Sequence, residues 1–150
     1  MDKILFIVPP HLQFEDFIHP SSNARVVKKA YGDYGNVLTD MPLGALSMSA
    51  YLKKHVSVET RLLDFNVVLN KVDDFPCESF ADFFRAVLSR REWKDYDPTI
   101  IGISALFTPS YHNLIDIGQC SREIFPRAVI IAGGGVPNNL FQEIFRDSTL

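Results

Sequence analysis

Two short segments of this sequence carry residue types suited to holding a ligand. Ser104-Ala105-Leu106 follows one apolar run, and after a gap of 26 residues Gly133-Gly134 follows another. Each segment lies where a buried strand is expected to end and a helix to begin. In an open parallel α/β sheet, ligands bind outside the carboxyl ends of the strands. The two segments therefore predict one pocket at two neighbouring strand ends.

The residues around these segments indicate what kind of ligand the pocket would take. Hydroxyl groups come from Ser104, Thr108 and Ser110, and apolar surface comes from the residues between and after them. The glycines leave backbone that a bulky group can approach closely. This mixture is suited to a large, mostly uncharged ligand with many amides and a nucleotide-like tail. The apolar residues are Leu106, Phe107, Pro109 and Tyr111, and the glycines are Gly133, Gly134 and Gly135.

Four apolar runs alternate with helical patterns along the chain. Pro42 is expected to open the first helix, Ser79 to cap the second, and Asn138 or Asn139 to cap the last. The phenylalanines after Ser79 recur at helical spacing and are expected to lie in the core. The predicted strands are 3–8, 58–65, 99–104 and 128–132, and the stretch between Pro10 and Pro42 has no clear period.

Alternating strands and helices predict an α/β fold with a parallel sheet and right-handed crossovers. We expect a doubly wound, flavodoxin-like or Rossmann-like sheet of strand order 2-1-3-4, with the fifth strand missing from this chain. The fourth strand would then be an open edge, which proteins usually avoid. The chain is accordingly expected to be a piece of a longer protein, or to have this edge covered by another chain.

Composition limits the classes of function. The 150 residues are enough for one domain, and 47% apolar with 22% charged residues is ordinary for a globular protein. A net charge of −3 gives no general attraction to nucleic acid, and no apolar run is long enough to span a membrane. Cys77 and Cys120 lack metal-ligand spacing. They are expected to be free thiols, typical of a cytoplasmic protein.

The common nucleotide-binding motifs are missing from the turn after the first strand. This turn is Pro9-Pro10, so it carries neither the glycine-rich dinucleotide fingerprint nor a triphosphate-binding loop. His11-Leu-Gln-Phe14 differs from the hydroxyl-rich phosphate turn of a flavodoxin. The acidic groups of a response regulator are also absent from the corresponding strand ends. Each departure removes the groups that would do the chemistry.

Several segments together resemble a known family. Pro9-Pro10, residues 42–52, residues 97–106 and Ala132-Gly-Gly-Gly135 look like the amino-terminal cobalamin-binding domain of cobalamin-dependent radical SAM enzymes. The signature of cobalamin domains is D-x-H-x-x-G, then S-x-L, then G-G some 26 to 28 residues later. Ser104-x-Leu106 and Gly133-Gly134 match the last two parts. The first part is missing, as it commonly is in the radical SAM branch, and Asp16-Phe-Ile-His19 has the wrong spacing.

The resemblance implies that residues 1–150 are a cobalamin-binding domain. Ser104 and Leu106 would contact the nucleotide tail and the corrin edge, and the glycine run would let the tail pass the fourth strand. The lower ligand of cobalt stays unassigned, with His11, His19 and His112 as candidates on strand-end loops. No catalytic or metal-binding residue is assigned. The implied cofactor-binding residues are Pro10, Ser104, Ala105, Leu106, Phe107, Thr108, Gly133, Gly134 and Gly135.

The resemblance also implies a larger parent enzyme. Two lone cysteines cannot supply the C-x-x-x-C-x-x-C motif, so the 4Fe-4S cluster and S-adenosylmethionine would bind the radical SAM core of the parent and not this chain. No catalysis is expected from this chain alone.

Two alternatives remain open. One is a ligand-free docking or regulatory module, which would use the fourth strand's edge and the loop around Tyr31 and Tyr34. The other is an independent enzyme using Asp64, Asp97 and Glu15. Asp97 counts against the second alternative, because it precedes a proline at a strand start, on the opposite rim from the pocket.

Overall fold

The computed structural model describes residues 1–148 and has an α/β architecture. No helix within these residues combines the length and apolarity needed to cross a membrane. A 3₁₀ turn, Thr108–Ser110, precedes the sixth helix. The strands are β1 (Asp2–Val8), β2 (Val26–Lys29), β3 (Gly32–Gly35), β4 (Val58–Asp64), β5 (Ile100–Ser104) and β6 (Val129–Gly133). The helices are α1 (Phe14–Ile18), α2 (Leu43–His55), α3 (Phe65–Lys71), α4 (Phe80–Leu88), α5 (Arg91–Tyr96), α6 (Tyr111–Ile124) and α7 (Gly135–Asp147).

The main sheet is parallel and has the order β4-β1-β5-β6. The predicted α/β class and parallel sheet are confirmed. The predicted order 2-1-3-4 is not exact for the whole chain, because an unpredicted antiparallel hairpin, β2-β3, lies between the first two strands of the sheet. Among the parallel strands alone, the second, first, third and fourth lie side by side. The carboxyl ends of β1, β4, β5 and β6 consequently share one edge, which we call the carboxyl rim.

One face of the sheet carries the main core. Leu5, Ile7 and Ile101 are fully buried there against the helices. Ser79 caps α4 by accepting a hydrogen bond from the Asp82 amide at 3.1 Å. The predicted capping role and the predicted core position of the phenylalanines are therefore confirmed. The buried phenylalanines of α4 are Phe80, Phe83 and Phe84.

The other face has a much smaller core. Ile4 and Phe6 pack there against Ala45 of α2, and the packing extends to Leu52 and Val58. Val129 and Ile131 on β6 remain 58% and 55% exposed. Within the described residues, the β5-β6 half of this face is therefore left open.

The segment after β1, which shows no period in the sequence, folds as α1 followed by the β2-β3 hairpin. Tyr34 is buried, stacks on Phe17 with ring centroids 4.9 Å apart, and accepts a hydrogen bond from the Phe75 amide at 3.2 Å. Tyr34 is thus a core residue and does not contribute the docking surface suggested above. Tyr31, at the hairpin turn, is 75% exposed.

Lys29 fastens the hairpin to the main domain. Its ammonium group donates to the carbonyl oxygens of Leu69 and Asn70 at 2.8 and 2.9 Å, and also to that of Val72. These carbonyls belong to the end of α3, where a cation is favoured by the helix dipole. Lys29→Met should cost about 1–2 kcal/mol of hairpin docking. Faster amide hydrogen exchange in β2 and β3, with exchange in β1 unchanged, is the expected result; unchanged exchange in the hairpin would contradict this role.

Candidate ligand-binding site

The two segments singled out in the sequence are neighbours at the carboxyl rim. Ser104 is paired with Gly133 in the β5-β6 register. The Ala105 amide donates to the Gly133 carbonyl at 2.9 Å, and the Val136 amide donates to the Ala105 carbonyl at 3.1 Å. Both backbone groups of Ala105 are thus used, and its side chain is fully buried. Ala105 joins the two strand ends through its backbone.

The structure requires glycine to a different degree at each of the three positions of the run. Gly134 has φ of +101°, and a Cβ there would lie 2.5 Å from the Ala105 carbonyl oxygen. A Cβ on Gly135 would lie 3.0 Å from the Leu106 carbonyl oxygen. The turn itself therefore requires glycine at 134 and favours it at 135. A Cβ on Gly133 would meet no atom within 4 Å, so neither packing nor φ requires glycine there.

Ligand-accessible groups lie at and just after the end of β5, whose Ser104 pairs with Gly133. Ser104 is half-buried, and its hydroxyl forms no hydrogen bond with any group in residues 1–148. Leu106 and Phe107 are 62% and 42% exposed. Bare backbone, an uncommitted hydroxyl and two exposed apolar side chains thus lie together at the ends of β5 and β6.

Thr108 lies apart from this group. It begins the 3₁₀ turn and lines a different cleft with His112 and Asp147, on the side of α6 and α7. Tyr111, whose apolar surface we expected beside Ser104, also lines that cleft, and its hydroxyl donates to Asp147 at 2.9 Å.

Pro10 lies in the turn after β1, and the polar groups around it fix that turn. Pro10 is buried, and its carbonyl accepts hydrogen bonds from the Ser110 hydroxyl at 2.8 Å and from the Asn113 amide at 3.1 Å. Asn113 also donates to the Leu12 carbonyl at 2.9 Å. Ser110 is fully buried, so its hydroxyl holds the turn and is not offered to a ligand.

Asn66 is a positioning residue that the sequence reasoning missed. Its side-chain amide donates to the Pro9 carbonyl at 3.0 Å and to Asp64 at 2.9 Å, and its oxygen accepts from the His11 amide at 2.9 Å. Asp64 also caps α3 by accepting from the Asn66 amide. An aspartate at the end of a strand, two residues before an asparagine, was the available signal for this cap. Asn66 thus ties β4 to the turn after β1.

Asn66→Ala should destabilise the protein by about 2–4 kcal/mol, because the Pro9 carbonyl and the His11 amide would both lose the fully buried side chain that they bond. Urea unfolding measures the change. Asn70→Ala is the matched control, since the exposed Asn70 makes one side-chain hydrogen bond, to the Val37 carbonyl. Equal losses for the two variants would refute the special role of Asn66.

Of the three histidines proposed as candidates, His11 lies beside the residues that follow β5. Its ring meets the Phe107 ring edge-on, with centroids 4.9 Å apart, and its Nδ1 is buried without a hydrogen-bond partner in the described residues. Burial lowers the pKa of His11, and the charges of Asp64 and Asp40 oppose that shift. His19 instead pairs with Glu15 at 3.2 Å on an exposed surface, and His112 is exposed on the first turn of α6.

The lowered pKa of His11 gives a pH dependence of stability with a definite sign. The folded protein binds the His11 proton less tightly than the unfolded chain, so protonation favours unfolding. The contribution of His11 should be constant above its unfolded pKa of about 6.5 and become destabilising as the pH falls below it. His11→Gln should flatten the fall in unfolding free energy between about pH 7.5 and about pH 5. If the unfolding free energy of His11→Gln falls with pH as steeply as that of the wild type, the assignment is contradicted. His19→Gln is the control, because it removes an exposed imidazole.

The described residues contain no group of three or more histidine, cysteine, aspartate or glutamate side chains arranged to hold a metal ion.

Asp97 has a left-handed φ of 47° at the end of α5 and pairs with Arg127 at 3.3 Å, away from the carboxyl rim. As expected from the sequence, Asp97 lies just before the amino end of β5, at the opposite end of this strand from Ser104. Comparison with protein-family models, with curated proteins and with solved structures finds no match for this chain.

Proposed function

We propose that this chain binds a corrinoid of the cobalamin class at the carboxyl rim, as a module of a larger cobalamin-dependent radical SAM enzyme. The observation that carries the proposal is the open space over Gly133, beside the free hydroxyl of Ser104. Glycine at position 133 does not stabilise the fold, and glycine is disfavoured in strands. Close approach of a ligand to the backbone would explain why glycine is present there.

The residues present fit a cobalamin tail. The Ser104 hydroxyl can donate to or accept from a polar group of the tail, and the space over Gly133 lets the tail pass close to the β6 backbone. Leu106 and Phe107 offer exposed apolar contacts to the corrin edge. Pro10, Ala105, Gly134 and Gly135 act through the backbone, by fixing the turns that present these groups.

A second set of exposed apolar residues supports a large ligand or domain on the same rim. Leu38, Met41 and Leu43 are 65%, 71% and 63% exposed, in the segment that leads into α2. Asp40, in the same segment, is close enough for its charge to act on His11. Exposed apolar groups concentrated in one region indicate an interaction surface. The corrin ring and the radical SAM core are the proposed occupants.

In the parent enzyme, bound cobalamin would supply a cobalt centre for methyl or radical transfer to a substrate. The role of this chain is to hold and orient the corrinoid. Leu106 and Phe107 would limit the access of water to the face of the corrinoid that lies against the protein. The 4Fe-4S cluster and S-adenosylmethionine are assigned to the radical SAM core. A cytoplasmic location is proposed from the two free cysteines.

A ligand-free docking or regulatory module is the second candidate function. The observation that favours it is the outer edge of β6, which pairs only with β5 within the described residues and carries no charge from Val129 to Gly133. Such an edge can accept a strand from another chain. This candidate predicts that the folded protein does not bind cobalamin.

Titration with hydroxocobalamin tests the first candidate. We expect a saturable change in the visible spectrum and co-elution of the corrinoid with the protein in gel filtration. Cobinamide, which lacks the nucleotide tail, should bind more weakly, because it cannot use the space over Gly133. An unchanged spectrum together with no co-elution would reject cobalamin binding.

A further inference from the structure

A separate apolar groove lies between β6, α6 and α7. Its volume is about 390 Å³, which is in the range of small-molecule sites. Ile103, Ile130 and Ala132 of the sheet form one wall with Leu114 of α6, and Phe141 and Phe145 of α7 form the other. The groove lies on the main-core face of the sheet, whereas Gly133 belongs to the opposite face by the alternation of β6.

One cation lines this apolar groove without an acidic partner. Arg122 donates from Nη1 to the Ala128 carbonyl at 3.0 Å, and it forms no ion pair with any carboxylate of residues 1–148. Arg85, Arg127 and Arg146 each pair with a carboxylate, whereas Arg25 and Arg90 also form no ion pair within residues 1–148 but do not line the groove. A guanidinium has five N–H donors, so most of those of Arg122 are free to bind an anion.

The aromatic wall of the groove is also exposed to solvent. Phe141 and Phe145 are 52% and 70% exposed, although both belong to a helix that packs its Ile144 in the core. An apolar ligand in the groove would remove surface of both rings from water, a favourable change of about 25 cal/mol per Å².

We propose that this groove binds an amphipathic carboxylate, with the carboxylate on Arg122 and the apolar chain between β6 and the two rings. The charge of Arg122 selects an anion, and the apolar walls select a hydrocarbon tail. This site is independent of the corrinoid proposal, because it shares no residue with the group around Gly133.

Decanoate, used below its micelle concentration, is the probe. Isothermal titration calorimetry should show saturable one-to-one binding, and 1-decanol should bind about tenfold more weakly, because the guanidinium–carboxylate contact contributes about 1.4 kcal/mol or more. Arg122→Gln should weaken decanoate binding by a similar factor. Arg127→Gln, an exposed arginine outside the groove, is the matched control and should leave binding unchanged.

Ala132→Phe should abolish binding by filling the groove. Methyl NMR spectra of the wild type give a readout that does not depend on the folding of this variant: decanoate should shift the Ile130 signal and leave Ile4, on the other face, unshifted. Equal affinities for decanoate and decanol, or shifts that avoid Ile130, would overturn the proposal. A wild-type dimer that Ala132→Phe dissociates would also overturn it, because a second copy would then fill the groove.

Discussion

Gly133→Trp is expected to fold like the wild type and to weaken cobalamin binding by about 100-fold or more, equivalent to about 2.7 kcal/mol. A Cβ at this position meets nothing within 4 Å, and φ does not lie in the left-handed region, so the indole can project into open space without backbone strain. Aromatic residues are also favoured over glycine in strands. The indole would occupy the volume assigned to the nucleotide tail.

Equilibrium dialysis with hydroxocobalamin measures the loss, and circular dichroism confirms the fold. Ala86→Trp, an exposed position on α4 away from the carboxyl rim, controls for adding a tryptophan to the surface. Equal affinity of the Gly133 variant and the wild type would show that the tail does not lie over β6.

Gly134→Ala is expected to lower the free energy of unfolding by about 3 kcal/mol or more. Its φ of +101° lies in a region used almost only by glycine, and the added Cβ would lie 2.5 Å from the Ala105 carbonyl oxygen. Because Ala105 joins the ends of β5 and β6, relief of the clash must move one strand end. Chemical denaturation provides the measurement.

Gly133→Ala is the matched control, since it adds the same methyl group one residue earlier. It should change stability by about 0.5 kcal/mol or less, because the added methyl group meets no atom within 4 Å. A Gly134 variant as stable as the Gly133 variant would contradict the strain argument. The comparison also separates the glycine that the fold requires from the glycine that the ligand would require.

The sequence predicted the parallel sheet well because its strands are short apolar runs bounded by turn residues. The β2-β3 hairpin was missed because Val26–Lys29 and Gly32–Gly35 show no clear alternation of apolar and polar residues. Tertiary contacts of Lys29 and Tyr34 hold it instead. Such contacts leave no local pattern in the sequence.

The start of the last helix was predicted wrongly. Asn138 and Asn139 have the residue type of a cap, but α7 begins at Gly135 with Gly134 before it, and the Asn139 side chain donates to the Gly135 carbonyl. Pro137 in the first turn was the neglected signal, because proline is tolerated there and excluded from helix interiors.

The sequence predicted the two strand ends that form the candidate site, but it did not predict the buried polar residues that hold the neighbouring turn. Ser104 and Gly133 follow from the rule that strand tips in a parallel sheet share an edge, and the structure pairs them. The roles of Asn66, Ser110 and Asn113 depend on which carbonyls the turn after β1 brings to them. Buried polar contacts between distant segments cannot be read from residue type alone.

Amide chemical-shift mapping tests the central claim most directly. Hydroxocobalamin added to the ¹⁵N-labelled protein should shift the amide signals of Ser104, Leu106 and Gly133, with smaller effects on His11, and should leave Val129 at the far end of β6 unchanged. Saturating cobalamin that leaves the signals of Ser104 and Gly133 in place would contradict the account, whether other residues shift or none do.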